Sequence, residues 1–393
     1  MADSSQQQIS YQQEISLGEI DDSSPFHGLR FTGGSFPHST ETSRSEEVRP
    51  DGQRAGTIRT NVTAAPSVNI EFSPRTFDDL LEGVMRDEWS DSLSLTGSDV
   101  STTDNDDGTG SIESTEIDFS SVEPRQWVHV SGFSEDGANG WYKVLEVNDE
   151  SLTVAPTPSE ASTSSEVTIE GQYLRNGTKS MSYALMRTFG DIDDKYEVIK
   201  GCRANQFDLS IESGSIVTGS ISFEGLRKEL MEEHPGTETE DAPGTEVFNA
   251  VDHVKAVLTS HDGEMAPVDA DVMSANIALD QNARRQNAIG TLGAAGIEHG
   301  SLDATGSISL YLTADSWKYL ESYVDFEKFG LAIAFSMPDG SYVFEFPRIA
   351  LTEEPGNVPG PDDDVMLEFD FSAEPGEEYD KTVQIVKAVD NDE

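Results

Sequence analysis

Alternating apolar and polar residues recur along most of the chain and predict many short β-strands. In residues 67–73, Val68, Ile70 and Phe72 share one face, the pattern of a strand with one buried side. A hairpin is predicted between 329–337 and 341–351, across a Pro-Asp-Gly turn. The same alternation predicts strands over residues 127–130, 141–147, 152–154, 167–169, 179–189, 196–199, 206–211, 216–223, 272–282, 303–313, 366–371 and 382–389.

Other segments have helical spacing. The strongest, beginning near Pro74, carries two acids in its first turn, where the helix dipole favours them. Its apolar stripe, the predicted helix core, consists of Phe77, Leu80, Leu81, Val84 and Met85. A second helix is predicted over residues 314–326 and a short one over Leu226–Glu233.

The surplus of strands over helices predicts a mainly β fold, a β-sandwich or barrel with one or two flanking helices. Residues 1–28 are polar and rich in Gln and Ser, and we expect a flexible N-terminal arm there. Residues 29–117 and 173–393 are predicted to form the two parts of the main domain, and residues 118–172 a small inserted all-β domain. Within these parts, residues 90–116 are predicted to be a loop, and residues 226–265 an acidic, irregular insertion.

Acidic residues are spread along the whole chain. Asp and Glu number 74 against 25 Lys and Arg, a formal net charge of −49, and the first lysine is Lys143. Such charge destabilises a compact state unless salt screens it, and at molar salt the screening length falls to about 3 Å. The composition is typical of a halophilic archaeon, the alternative being an ordinary acidic mesophilic protein. Apart from the pairs Arg227-Lys228 and Arg284-Arg285 there is no basic stretch to bind nucleic acid, although an acidic wall could line a passage for DNA.

Patterns typical of catalysis are missing from the sequence. The seven His are scattered, and no zinc, phosphate-loop or nucleophile-elbow motif occurs. Cys202 lies in a strand pattern and is expected to be a core residue rather than a nucleophile. The N-terminus lacks the features of a signal peptide, and no apolar run reaches 18 residues, so we expect synthesis in the cytoplasm and no membrane span.

Two acidic loops are candidate cation sites. Asp104 and Asp106 precede Gly108, but placing that glycine at position 6 of a calcium loop puts Ser114 where a Glu should bind. A run of three acids is better explained as a solvated surface; it consists of Asp362, Asp363 and Asp364. We therefore expect no cofactor, and screening cations rather than a specific Ca²⁺ or Mg²⁺ site.

Several stretches, in order, resemble the tail tube proteins of long-tailed phages. The arm motif is SRSEEVRPDGQRAGTIR, and the later ones include a G-C-R run and a T-G-S-I pattern. The resemblance runs from about residue 29 to 389, and the departures from it are the segments 90–116 and 226–265. The stretches that carry it are Ser43–Arg59, Ser67–Trp89, Gly132–Val147, Ser180–Gly225, Ala294–Leu312 and Pro347–Ile349.

The resemblance implies a structural virion protein without enzymatic activity, whose protomers, usually six, close a ring around a channel. The rings stack between the terminator and the baseplate, the tape measure protein is a further partner, and viral DNA passes through without specific binding. The arm would order on assembly and bridge protomers; its candidate contact residues are Arg49, Arg54, Ile58 and Arg59. Joining sheets between subunits also removes exposed strand edges.

Three other classes remain open at this point. The first is a receptor-binding adhesin of the same virus, with Trp127 and Trp141 as carbohydrate-binding aromatics, although such a pair is more often part of a core. The second is a cell-surface layer protein, and the third a glycosidase or phosphatase. The last would require a clustered site that the sequence does not contain.

Overall fold

The computed structural model describes residues 3–54, 56–163, 165–192, 195–261, 264–268, 271–354, 356–358, 360, 361, 363–376 and 380–389. This part of the chain is mainly β, as predicted, with two α-helices among many strands. The N-terminal elements are β1 (Gln7–Gln13), β2 (Phe26–Leu29), β3 (Gly33–Ser35), β4 (Ser39–Arg44), β5 (Thr57–Thr63), β6 (Ser67–Glu71) and α1 (Asp78–Met85).

The remaining elements follow in chain order. A group in the first half consists of β7 (Leu93–Gly97), β8 (Ser101–Asp104), β9 (Gly110–Glu113), β10 (Trp127–Ser131), β11 (Gly140–Asn148), β12 (Ser151–Ala155), β13 (Ala161–Ser162) and β14 (Val167–Arg175). The central strands are β15 (Tyr183–Phe189), β16 (Tyr196–Glu212), β17 (Thr218–Glu224), β18 (Arg227–Met231), β19 (Thr239–Glu240), β20 (Val254–His261) and β21 (Glu264–Pro267). The last elements are β22 (Val272–Asp280), β23 (Arg284–Asn287), β24 (Ala294–Glu298), β25 (Asp303–Tyr311), α2 (Trp317–Asp325), β26 (Lys328–Met337), β27 (Gly340–Glu353), β28 (Met366–Glu374) and β29 (Gln384–Ala388).

Eight antiparallel strands form what we call the main sheet. Their order is β3-β6-β17-β16-β22-β25-β28-β27. Two of them, β16 and β27, are long and continue into two outer sheets. The first outer sheet has the order β2-β1-β15-β16-β18, and the second has the order β21-β20-β26-β27-β29.

The core lies between the main sheet and the outer sheets. Its centre is aromatic: Phe72 contacts Phe248 with ring centroids 5.3 Å apart, and Phe207 stacks on Phe344 at 6.3 Å. Burying each such ring contributes about 1.5–3 kcal/mol. Helix α1 closes one side of this core with the buried side chains Phe77, Leu80, Leu81, Val84 and Met85. Cys202 is also buried here, and burial raises the pKa of its thiol well above its usual value, so the thiol is unreactive.

A small all-β unit is formed by the sheet β7-β14-β10-β11-β12-β9-β8-β13. It has its own apolar cluster, which extends from Leu93 to Ile169. Trp127 and Trp141 are buried where this unit packs on the second outer sheet, and the Trp141 Nε1 donates to the Phe335 carbonyl oxygen at 3.2 Å. Both indoles are therefore packing residues and are not exposed to bind a carbohydrate.

Three sequence predictions are wrong in the described residues. Residues 7–13 are not a flexible arm, because strand β1 pairs with β15 and buries Ile9 and Tyr11. Residues 90–116 are not a loop, because β7, β8 and β9 belong to the small unit, which therefore begins well before residue 118. Residues 226–233 are not a helix, because β18 pairs with β16 and tertiary pairing overrides local spacing.

Candidate functional site: a polar sheet face and two hairpins

One face of the main sheet is covered by short polar and acidic side chains, because alternate residues of each strand point away from the core. We call it the polar face. It comprises Ser67, Asn69 and Glu71 on β6; Thr218, Ser220 and Ser222 on β17; Gln206, Asp208, Ser210 and Glu212 on β16; Ser274, Asn276, Ala278 and Asp280 on β22; Asp303, Thr305, Ser307 and Ser309 on β25; and Glu368, Asp370 and Ser372 on β28.

Register aligns these residues in rows across the strands. Ser210 is opposite Asn276, and Asn276 is opposite Ser307. The Ser210 hydroxyl donates to Asn276 Oδ1 at 2.7 Å, and Asn276 Nδ2 donates to the Ser307 hydroxyl at 3.1 Å. In the next row Asp208 accepts hydrogen bonds from Gln206 at 2.9 Å and from Ser220 at 3.2 Å. The side chains thus bond to one another across neighbouring strands.

The polar face is anionic. The residues named above include seven carboxylates and no Lys or Arg, and all of them are described in the structure. The next outward-pointing cations on the same strands, Arg203 and Arg348, lie 3.3 Å from Glu298 and 3.6 Å from Glu374. Its centre is an open depression of about 690 Å³ rather than an enclosed pocket. Such a surface repels polyanions, and nothing on it can neutralise a phosphate.

The main sheet ends in backbone edges on both sides. Within the described residues, β3 pairs with β6 on one side only. At the other end, pairing of β27 with β26 stops at Ala350, so in the part of the chain that the structure describes Leu351 and Glu353 pair only with β28, and Thr352 is the extra residue of a bulge between them. Unpaired edges of this kind are templates for strand pairing with another chain.

A two-stranded hairpin formed by β4 and β5 projects from the first edge; we call residues 39–63 the arm hairpin. The predicted contact residues Arg49, Arg54, Ile58 and Arg59 lie on it and are exposed, Ile58 to 63 %. Arg49 forms an ion pair with Asp51 at 2.7 Å. The arm hairpin thus presents cationic and apolar side chains on an otherwise acidic protein.

A second hairpin, formed by β23 and β24 and called here the docked hairpin, packs against its own chain. Arg285 Nε lies 2.6 Å from a Glu224 carboxylate oxygen, and the same guanidinium donates to the carbonyl oxygens of Ala64 and Gly225. Ile297 is fully buried beneath it. Sequence reasoning noticed the two arginines of this hairpin only as a basic pair, because the partners are distant in sequence.

The candidate cation sites do not assemble in the described part of the chain, where no group of three or more His, Cys, Asp or Glu could hold a metal ion. Asp104 accepts the Asp106 backbone N–H at 2.8 Å in an exposed turn. Asp363 and Asp364 are exposed, and Asp362 lies outside the described residues. Among the described helices, neither is long and apolar enough to span a membrane.

Comparison with known proteins identifies the family. The sequence model of the phage tail tube protein family matches residues 4–373, which is nearly the whole chain. A search of curated proteins finds no match. The match extends over the main sheet, the small unit and both helices, and it agrees with the mainly β fold. It also makes the protein a structural component of the virion tail rather than a member of an enzyme family. The chain belongs to the phage tail tube protein family.

Proposed function

We propose that copies of this chain close into rings, that the rings stack into the tail tube, and that the tube delivers viral DNA into the host. The observation that carries this proposal is the polar face, a wide surface of short polar and acidic side chains on a sheet with an open edge at each end. Pairing between the edges of neighbouring copies turns the sheet into a closed wall.

The polar face lines the channel in this proposal. Duplex DNA carries one charge per about 1.7 Å of its axis, and Lys and Arg side chains would bind it by releasing its counter-ions. A wall with carboxylates such as Asp208 and Asp370, whose nearest cations Arg203 and Arg348 are paired with Glu298 and Glu374, keeps the duplex away from the wall. The DNA then moves through without specific binding.

The arm hairpin supplies contacts between copies. Its exposed Ile58 loses contact with water on assembly, and Arg49, Arg54 and Arg59 meet the acidic surface of a neighbour. The resemblance implies a ring of six protomers, and the proposal keeps a six-fold arrangement of the tube fold. The proposal also includes the tape measure, terminator and baseplate as further partners, and synthesis in the host cytoplasm.

A halophilic archaeal host fits the charge of the chain. A net charge of −49 on 393 residues makes copies repel one another unless salt screens them. Assembly should therefore require high salt.

The experiment is electron microscopy of the purified, negatively stained protein in molar and in low salt. The proposal predicts hollow tubes or stacked rings at molar salt and dispersed protein at low salt. Compact particles without a central channel at every salt concentration would contradict it and would favour an adhesin.

A further inference from the structure

We propose that this chain is an internal duplication of one ring-forming unit, and that three chains, joined by the same strand junction that joins the two units, close the ring. The inference rests on the proposed function, because it specifies how the same ring is built. Unit 1 comprises β1–β6, α1 and β15–β18, with the small unit inserted after α1. Unit 2 comprises β20–β29 and α2.

The two units have the same pairing scheme. Each begins with a hairpin whose first strand also pairs with the strand after the helix, and each has a long strand shared between the main sheet and an outer sheet. The equivalent pairs are β1–β2 and β20–β21, β1–β15 and β20–β26, β15–β16 and β26–β27, β16–β17 and β27–β28, β16–β18 and β27–β29, β6–β17 and β25–β28, β3–β6 and β22–β25, and β4–β5 and β23–β24.

The correspondence extends to single residues around the helices. Residues Arg86 and Phe326, 240 positions apart, both end their helix in the left-handed conformation, with φ of 58° and 56°. Before each helix two hydroxyl side chains form the same hydrogen bond. Ser73 and Thr76 are 3.0 Å apart, and their counterparts 240 positions later are 3.3 Å apart.

The long strands share an irregularity as well. Pairing of β16 with β17 shifts register between Ala204 and Gln206, and pairing of β27 with β28 shifts between Leu351 and Glu353. The two shifts lie 147 positions apart in the sequence. Agreement in pairing, helix ends, hydrogen bonds and bulges is explained by duplication of one unit.

The internal junction shows how units join. Strand β16 of unit 1 pairs with β22 of unit 2, and Gln206 is opposite Asp280. The residue of unit 2 that corresponds to Gln206 is Glu353. The residue of unit 1 that corresponds to Asp280 is Ser39, which lies four residues after the end of β3. Ser35 is opposite Ser67 as Asn276 is opposite Ser307, and in the same register Ser39 is opposite Thr63 as Asp280 is opposite Asp303. Glu353 and Ser39 lie at the two open edges of the chain, so the same junction can form between copies.

The two hairpins follow the same relation. The docked hairpin of unit 2 packs on unit 1 through Arg285, and its counterpart 241 positions earlier is Arg44 on the arm hairpin. By the same geometry, the arm hairpin packs on unit 2 of the neighbouring copy. The counterpart of Ile58 is Glu298, which lies 3.3 Å from Arg203 of unit 1, so Ile58 would contact unit 2 of the neighbour at the corresponding place.

Channel width sets the number of chains. Each chain supplies eight strands, and with strands about 4.8 Å apart and tilted by about 40°, 16 strands give a barrel about 32 Å across and 24 strands one about 48 Å across. Side chains on both walls occupy about 10 Å of this width. A barrel of two chains would therefore contact a DNA duplex, which is roughly 20 Å across, on all sides. A barrel of three chains leaves room for the duplex and its hydration water.

The experiment introduces a cysteine pair at the proposed junction, Glu353→Cys with Ser39→Cys, in protein assembled at molar salt and mildly oxidised. Cys202 is buried and does not interfere. On a non-reducing gel we expect bands of one, two and three linked chains and no larger species. The matched control, Gln206→Cys with Asp280→Cys, crosses the internal junction and should give only linked monomers. Each single cysteine at the proposed junction should give no ladder.

Native mass spectrometry of wild-type rings supplies an independent count, with three chains of 42.7 kDa expected in each ring. A gel ladder or a ring mass corresponding to six chains would overturn the inference, as would tubes in which the junction cysteines stay unlinked while the control pair oxidises. In all these cases tubes still form, so the proposed function stands. If wild-type protein forms no tubes or rings at any salt concentration, the proposed function itself fails.

Discussion

A buried ion pair joins the small unit to the second outer sheet. Lys143 Nζ on β11 lies 2.8 Å from Glu345 Oε1 on β27, and the two side chains are only 6 % and 2 % exposed. The Gln384 amide also donates to this carboxylate, at 3.1 Å. Substituting Lys143→Met keeps most of the packing of the stem but removes the charge that compensates Glu345.

The expected cost follows from the burial. At 2.8 Å and an effective dielectric constant of 20, the attraction is about 6 kcal/mol, and part of it is offset by the desolvation of the lysine. Breaking a buried pair by removing one partner typically costs about 3–5 kcal/mol. We therefore expect Lys143→Met to lower the free energy of unfolding by about 3–5 kcal/mol. The double variant with Glu345→Gln should recover most of that loss, because its amide oxygen still accepts from Gln384.

The assay is urea unfolding of the unassembled chain in high salt, followed by tryptophan fluorescence. Trp127 and Trp141 lie at this interface and report its opening. The matched control is the exposed pair Lys195 and Glu232, 2.6 Å apart but 52 % and 82 % exposed. Lys195→Met should cost less than about 0.5 kcal/mol, because an exposed pair is weak and molar salt screens it. The reasoning is refuted if Lys143→Met costs no more than Lys195→Met, or if the double variant is as unstable as the single one.

Three further predictions concern helix packing, channel charge and acid stability. Gly83→Ala places a Cβ 2.6 Å from the Tyr183 ring and should lower the unfolding free energy by about 1–3 kcal/mol in urea titrations. Asp370→Lys on the polar face should slow DNA release from virions, as measured by nuclease-accessible DNA, and added salt should reduce the delay. Burial lowers the pKa of His129 and of His299 to about 4, so the unfolded chain binds more protons between pH 6.5 and 4, and stability should fall by up to about 3 kcal/mol per histidine on acidification through that range.

Each of these predictions has a matched control. Gly244→Ala meets open space and should change stability by less than about 0.5 kcal/mol; a cost equal to that of Gly83→Ala would contradict the packing argument. Glu160→Lys lies off the polar face, on the exposed surface of the small unit, and should leave DNA release unchanged. Replacing both histidines by Gln should flatten the stability curve between pH 6.5 and 4. An unchanged slope would mean that other groups cause the acid sensitivity.

Strong local patterns were enough to predict much of the fold. Helix α1 and the hairpin of β26 and β27 were both predicted from the spacing of their apolar residues, which is set by contact with the core. The structure contains both elements. The mainly β class followed from the number of alternating segments.

Polar strands were missed for a physical reason. In β1, Ser10 and Gln12 are buried although they are polar, and Gln12 Nε2 donates to the backbone carbonyl oxygens of Asp21 and Ser24 at 2.9 Å. A buried polar residue with hydrogen-bond partners looks like a loop residue in the sequence. Strands β7, β8 and β9 were not predicted for the same reason, because they are rich in Ser, Thr and Gly and resemble loop segments in the sequence.

The polar face was partly visible in the sequence. Alternation predicted the strands over residues 206–211 and 272–282, but only strand register places Asp208 and Asn276 on one surface. The duplication was hidden because the units share pairing and spacing rather than residue identity: Arg86 corresponds to Phe326, for example. The packing role of Arg285 on the docked hairpin could not be predicted from the sequence, because its partner Glu224 is distant in the chain.

The central claim concerns which surface of the chain faces the channel. A cryo-electron microscopy reconstruction of the tail shaft from intact virions tests it most directly. We expect the polar face around the channel, with carboxylates such as Asp208 and Asp370 on its wall and the strands continuous from one copy to the next. A channel lined by Lys and Arg, or by any other surface of the chain, would contradict the account.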